Sequence, residues 1–291
     1  MNKLLRANFS RLFRSKLFYT SIGIMLIYPV FSIISQYFDA QSYSYIAWLE
    51  DSLWTSGAIL PFIMGVLVPT FIGTEYSDKT LRNKLIVGHT KQKIYISNMI
   101  TMLTAAVIML LIWNIVYFSL GIALLSIGKT IFTDFLICLE TLMASLLFTA
   151  LLVMISMFVS SKSGSSVLCL LTVLILIFFG VWLLTKLSQE EYISGYRLYS
   201  TYITDDEDEP VDLEDTELTT WEEMVPNPDY IPEGSQRNCM IMIRNISVGA
   251  QIIDNETDHQ VGPIWFFLFD PAMILLITCG GAFLFRRKDI C

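Results

Sequence analysis

GTEYSDKTLRNKLIVGHTKQKIYISN, residues 73–98, decides how the rest of the chain is read. It is the longest polar interruption between hydrophobic segments on the basic side of the chain. It carries Lys79, Arg82, Lys84, Lys91 and Lys93 against only Glu75 and Asp78. An apolar run precedes it and another follows. A short basic loop between two spans belongs on the cytoplasmic side, where Lys and Arg are retained. Within it, residues 80–87 can wind two helical turns that put Leu81, Leu85 and Ile86 on one stripe. Gly88 can end that helix, since glycine adopts the left-handed cap without steric cost. A short helix with an apolar stripe and a basic rim, held just under a membrane, suits docking against a soluble partner. A basic loop anchored to lipid headgroups has the same composition, and spacing alone does not separate the two.

Composition sets the class. The 291 residues are 54% hydrophobic, with a mean hydropathy of +0.57. That apolar content is gathered into runs of about 20 residues, the length that crosses a bilayer as a helix. The formal charge of −8 hides two segregated signs. Of the five cysteines, only Cys239 falls in a long polar segment, so no disulfide framework is implied.

Residues 1–16 alternate Lys3, Arg6, Arg11, Arg14 and Lys16 with apolar residues, of which Leu5, Phe9, Leu12 and Phe13 fall at helical spacing. This predicts a basic amphipathic helix in the headgroup plane. The following apolar run exceeds that of a signal peptide, so an uncleaved anchor is expected. Spans are predicted at 17–38, 55–74, 94–127, 132–160, 166–186 and 263–285, with Pro29 inside the first and Pro61 and Pro69 inside the second. Two prolines in one span either mark an opening for substrate or are tolerated kinks. The third span is longer than ~30 Å of hydrocarbon requires, so it tilts or projects. With the N-terminus inside, fourteen of the nineteen Lys and Arg face the cytoplasm, which fits six spans with both termini cytoplasmic.

The polar segment 188–262 holds eighteen acids against Arg197, Arg237 and Arg244, a balance of −15. Tyr192, Tyr196, Tyr199 and Tyr202 predict an interfacial helix. Residues 205–217 are acidic enough for a disordered loop. Alternation at Ile241, Ile243, Ile246 and Val248 allows a short strand or two. The charge is either an electrostatic lure for cationic molecules or a solvated surface. Calcium binding at 205–209 lacks a loop-forming glycine. Three acids fall near membrane depth, where ionisable groups are functional candidates. Asp134 is read as wet at the outer edge. Asp270 precedes Pro271 like a helix N-cap, leaving 263–269 as a short re-entrant or interfacial piece. Glu140 sits about two turns into the fourth span and is the best candidate for lining a polar cavity.

There is no GxxxxGK[ST] phosphate loop and no HExxH motif, and His89 and His259 are the only histidines. No catalytic constellation and no metal site are read, and no nucleic-acid partner is expected.

An acid closing a span at Glu75, then Thr80-Leu81-Arg82-Asn83-x-Leu85, Gly88, a basic turn, Ile94-Tyr95 and another span resembles the permease subunits of type-2 ABC exporters. The resemblance covers residues 72–98 and is echoed by the basic ending at 285–290 and by the order of spans. Lys79 stands where the family usually has glycine, and Asn98 where a lysine is common. The resemblance implies an all-α membrane protein of six transmembrane helices, with an N-terminal interfacial helix, a cytoplasmic coupling helix and a small extracytoplasmic insertion between spans five and six. The expected divisions are 1–16, 17–187 with a coupling loop at 75–93, 188–262, and 263–291. The implied ATPase-coupling residues are Glu75, Thr80, Leu81, Arg82, Lys84, Leu85 and Ile86. Leu81, Leu85 and Ile86 would touch the ATPase, Arg82, Lys84, Lys91 and Lys93 would pair with its acids, and Glu75 would tie the loop to the bundle. Pro61, Pro69, Glu140 and Asp270 are the candidates for a substrate pathway. The implied partners are a dimer of ABC ATPase subunits, a second permease chain, identical or different, and the bilayer. No cofactor is expected on this chain, whereas ATP and Mg would sit on the partner. A multi-pass place in a bacterial plasma membrane is expected. The first substrate reading is an amphipathic peptide, a bacteriocin or antimicrobial peptide, for export or self-immunity. Lipid or a hydrophobic drug is the second, and a stand-alone membrane sensor or immunity protein without ATPase is the rival class.

Overall fold

A helix satisfies its own backbone hydrogen bonds, which is why long apolar runs fold as helices when water is absent. The computed structural model describes residues 1–49, 53, 55–128, 131–200, 218–251 and 265–288. Its elements are α1 (Asn2–Leu12), α2 (Lys16–Tyr43), α3 (Thr55–Ser77), α4 (Thr80–Ile86), α5 (Lys91–Leu124), α6 (Ile131–Phe158), α7 (Lys162–Leu187), β1 (Tyr192–Ser200), β2 (Leu218–Pro226), α8 (Ser235–Ile246) and α9 (Trp265–Arg287). Six of them, α2, α3, α5, α6, α7 and α9, are long and apolar enough to cross a membrane. The chain is an all-α membrane bundle with a small two-stranded ribbon inserted between its fifth and sixth spans. The run at 205–217, Tyr202, Lys129 and His259 lie outside the described residues.

The chain divides into two compact units, residues 1–181 with 243–291, and residues 182–242. In the first, α5 packs on α1, α2, α3, α6 and α9, and α6 packs on α3 and α9. Trp113, Tyr117, Tyr95, Phe148 and Phe285 are fully buried in the core. The apolar windows of α3 and α6 are each 61% buried, against 28% for α7 and 22% for α9. So α3 and α6 lie in the middle, while Ile175, Phe178, Leu275 and Leu276 turn outward, as side chains do toward lipid. Two close approaches need glycine. A Cβ on Gly281 would sit 2.1 Å from the Tyr95 hydroxyl, and one on Gly249 would sit 1.9 Å from the Leu176 carbonyl oxygen.

One end of this bundle gathers α1, α4 and the ends of five spans. Asn8 of α1 bonds Ser97 and Asn98 at the start of α5. Gly73 of α3 meets Lys162 of α7. Lys288, just past α9, donates to the Met157 and Phe158 carbonyls at the end of α6, at 3.0 Å each, and to the Tyr76 hydroxyl at 3.1 Å. An ammonium on the last carbonyls of a helix satisfies orphan acceptors and opposes the helix dipole. At the other end, the Leu49 amide donates to the Ser126 carbonyl at 2.9 Å, the Ser126 amide donates to the Ala47 carbonyl at 3.1 Å, and Tyr117 donates to the Leu49 carbonyl at 2.7 Å.

The second unit corrects two expectations. The tyrosine-rich stretch is a strand, not an interfacial helix: β1 pairs antiparallel with β2, Tyr192 opposite Pro226 and Ser200 opposite Leu218. Tyr, Ile, Thr and Trp in both stretches favour a pleated backbone. The alternation that begins at Met240 is not a strand over the described residues: residues 235–246 form α8, and 252–253 lie outside them. Its half-buried positions are Arg237, Met240, Ile241, Arg244 and Asn245, the i, i+3, i+4, i+7, i+8 pattern of a helix face. Within the unit, Arg237 donates to the Ile231 and Leu187 carbonyls, and Lys186 pairs with Asp229.

Three further expectations change. Residue Asp270 is no N-cap, because α9 runs unbroken from Trp265 with Pro271 inside it. Asp134 is buried rather than wet. The buried stripe of α1 is Leu4, Asn8 and Leu12, so Leu5 and Phe9 are only partly covered and Phe13 is exposed.

Candidate functional site

The carboxylate of Glu75, at the foot of α3, is fully buried. A buried charge must be paired and hydrogen-bonded. Lys84 of α4 donates to Oε1 at 2.5 Å, and Asn98 of α5 donates to Oε2 at 3.0 Å. Arg11 of α1 brings Nη2 to 2.8 Å from Oε1, as a close ion pair rather than an aligned hydrogen bond. The Arg11 guanidinium also lies 3.7 Å from the centroid of the Phe71 ring. Asn8 closes the ring of contacts: its carbonyl accepts from Lys84 at 3.0 Å, and its amide donates to Asn98 Oδ1 at 2.7 Å and Ser97 Oγ at 3.0 Å. One carboxylate thereby joins α1, α3, α4 and α5.

Burial pulls the Lys84 ammonium and the Arg11 guanidinium below their ordinary values, and the charge of Glu75 opposes the shift at both. Desolvation outweighs attraction, so the cluster is a poor source of stability. What it does is fix position.

The helix it fixes is built from local signals. Thr80 donates to the Glu75 carbonyl at 3.3 Å. Gly88 takes φ +93°, and the amides of Gly88 and His89 bond the Leu85 and Lys84 carbonyls. Those two bonds are a Schellman stop. Lys79 enters the helix with φ 56°, a left-handed backbone that suits glycine. Thr90 then caps α5 by accepting from the Lys93 amide.

The expected contact stripe of α4 splits. Leu81 is 1% exposed and packs into the bundle, and Leu85 is half-covered against it. Ile86 is 74% and Val87 77% exposed, beside exposed Arg82. The expected pairing of Lys84 with a partner is likewise replaced by its bond to Glu75. Lys91 donates to the Lys288 carbonyl, whereas Lys93 is exposed. Sequence reasoning missed Asn8, Arg11, Ser97, Tyr76 and Lys288. Only the basic ending gave a signal for any of them.

The pathway candidates are scattered. Pro61 and Pro69 are buried inside the continuous helix α3. Glu140 of α6 is 2% exposed. Asp270 of α9 accepts from Gln251 at 3.3 Å. An apolar cavity of about 380 Å³ between α5 and α6, lined by Leu110, Asn114, Phe135 and Cys138 among others, touches none of the four. No cluster of three metal-ligating residues occurs among the described residues.

Residues 4–180 match the family model described as ABC-2 family transporter protein. The chain belongs to that family. No curated protein matches it. This ABC-2 protein is therefore a membrane permease subunit of an ABC transporter. The match takes in α4 and every residue that binds Glu75.

Proposed function

We propose that this ABC-2 permease belongs to an ATP-driven exporter, with α4 as the coupling helix and the end of the bundle that carries α1 and α4 in the cytoplasm. The observation that carries this is the Glu75 lock, which leaves α4 no freedom to move apart from α1, α3 and α5. A push on Ile86, Val87 and Arg82 would pass to two spans at once. ATP and Mg would sit on a separate ATPase pair, and a second permease chain would complete the pathway. The basic residues gathered at the α4 end support that orientation. The balance of −15 over residues 188–262, the segment between spans five and six, supports a cationic amphipathic peptide as substrate. A second reading, export of a lipid or hydrophobic drug, is favoured by the apolar cavity between α5 and α6.

The test pairs Ile86→Asp with Val87→Asp. Both side chains are exposed, so insertion and thermal stability should stay within error. Co-purification of an ATP-binding subunit and substrate-stimulated ATPase should be lost. A double variant that still couples rejects α4 as the contact. Stimulation of the wild-type complex by cationic peptides but not by lipids or drugs supports the peptide, and the reverse supports the second reading.

A further inference from the structure

Where α1 turns into α2, a cavity of about 260 Å³ opens against α3, with Arg11, Arg14 and Ser15 on one side and Leu17, Leu67 and Phe71 on the other. We propose that this cavity binds one anionic phospholipid from the leaflet on the α4 side, its phosphate on Arg14 and the start of α2, its acyl chain along Leu67 and Phe71.

Four observations converge. First, the charge does not balance: Glu75 is shared by Arg11 and Lys84, two cations to one buried anion, and exposed Asp78 is the only other acid acting on Arg11. Arg14 and Lys16 add to the excess. Second, Nε of Arg11 is buried without a hydrogen-bond acceptor among the described residues, while Nη2 is held by Glu75. Third, α2 begins at Ser15 with no side-chain cap, so its first amides are open to an anion. Fourth, exposed Phe13 and Tyr19 flank the turn between an amphipathic helix and a span. Aromatic side chains there mark headgroup depth. A free phosphate would meet the donors but leave the apolar wall bare. A zwitterionic lipid would bring its own cation into a site already in excess. Basic pockets beside spans are general headgroup sites for anionic lipids.

The purified full chain, delipidated in uncharged detergent, is titrated separately with short-chain phosphatidylglycerol, short-chain phosphatidylcholine and inorganic phosphate. Bound ligand per chain is read by native mass spectrometry and its effect by thermal unfolding. One phosphatidylglycerol should bind at least tenfold more tightly than phosphatidylcholine. Arg14→Gln should weaken it about tenfold, the usual scale for a charge-assisted phosphate contact. Thr70→Phe, which fills the cavity from half-buried Thr70, should abolish it. Arg6→Gln, exposed on α1 and outside the cavity, should change nothing. Equal binding of the two lipids, equal loss in the Arg6 and Arg14 variants, or survival of binding in Thr70→Phe overturns the site. Phosphate acting as well as phosphatidylglycerol overturns the lipid and leaves a free-anion site. None of these readouts involves an ATPase, so they stand apart from the coupling role of α4.

Discussion

Glu75 shows what one buried carboxylate can organise. Its removal leaves two cations facing each other without the anion they share. Glu75→Ala should cost about 3 kcal/mol, the scale for stranding a buried charge. Glu75→Gln should cost less, since it still accepts from Asn98. Denaturant titration of the purified chain in detergent checks the order, and equal stability of all three would mean the cations find other partners. Lys79 makes the opposite case. A non-glycine residue in left-handed backbone costs on the order of 1–2 kcal/mol, part of which glycine gives back as unfolded-state entropy. Lys79→Gly should therefore stabilise the chain by up to about 1 kcal/mol; a loss of stability would assign the lysine side chain a role of its own. In sequence, Glu75 draws notice as an acid at the foot of an apolar run. Asn8 does not, because a lone asparagine in a basic amphipathic helix reads as part of the wet face. Only packing against Ser97 and Asn98, about ninety positions away, turns it inward.

Helices were legible where their period met few competitors. The six spans and the short α4 follow from run length and a Gly88 stop. The insertion between the fifth and sixth spans was not, because period 2 and period 3.6 are hard to separate over ten residues, and partner strands decide between them. The face of α4 was also illegible. Leu81, Leu85 and Ile86 lie within two turns, and only the bundle determines which of them is covered. Two substitutions separate those faces. Leu81→Ala should cost 2–5 kcal/mol, the range for a buried leucine, whereas Ile86→Ala should leave stability within about 0.5 kcal/mol. A pair of adjacent glycines gives the same contrast on α9. Gly281→Ala drives a methyl into Tyr95 and should destabilise by about 1–3 kcal/mol. Gly280→Ala meets nothing within 4 Å and should be neutral or slightly stabilising. Thermal unfolding in one detergent compares all four, and equal effects of Gly280→Ala and Gly281→Ala would mean α5 and α9 are not packed this closely.

At the scale of the molecule, the contacts of Asn8, Glu75, Lys162 and Lys288 place α1, α4, the end of α9 and the short connection at 159–161 at one end of the bundle. Fourteen of the nineteen basic residues belong to that end, and the acidic stretch 188–262 joins spans whose other ends lie opposite. A bilayer across the six spans then has most of the basic residues at one face. The membrane potential and anionic lipids of the cytoplasmic leaflet favour the basic face inside. Cys239 of α8 is exposed and belongs to the insertion, which makes it a natural reporter. In intact cells a membrane-impermeant maleimide should label Cys239. In a Cys239→Ser background, Arg82→Cys should label only after the membrane is permeabilised. The reverse pattern would put α4 outside, beyond the reach of any cytoplasmic ATPase. It would leave the Glu75 lock as a device for holding the bundle's outer rim, and the coupling role would fall with it.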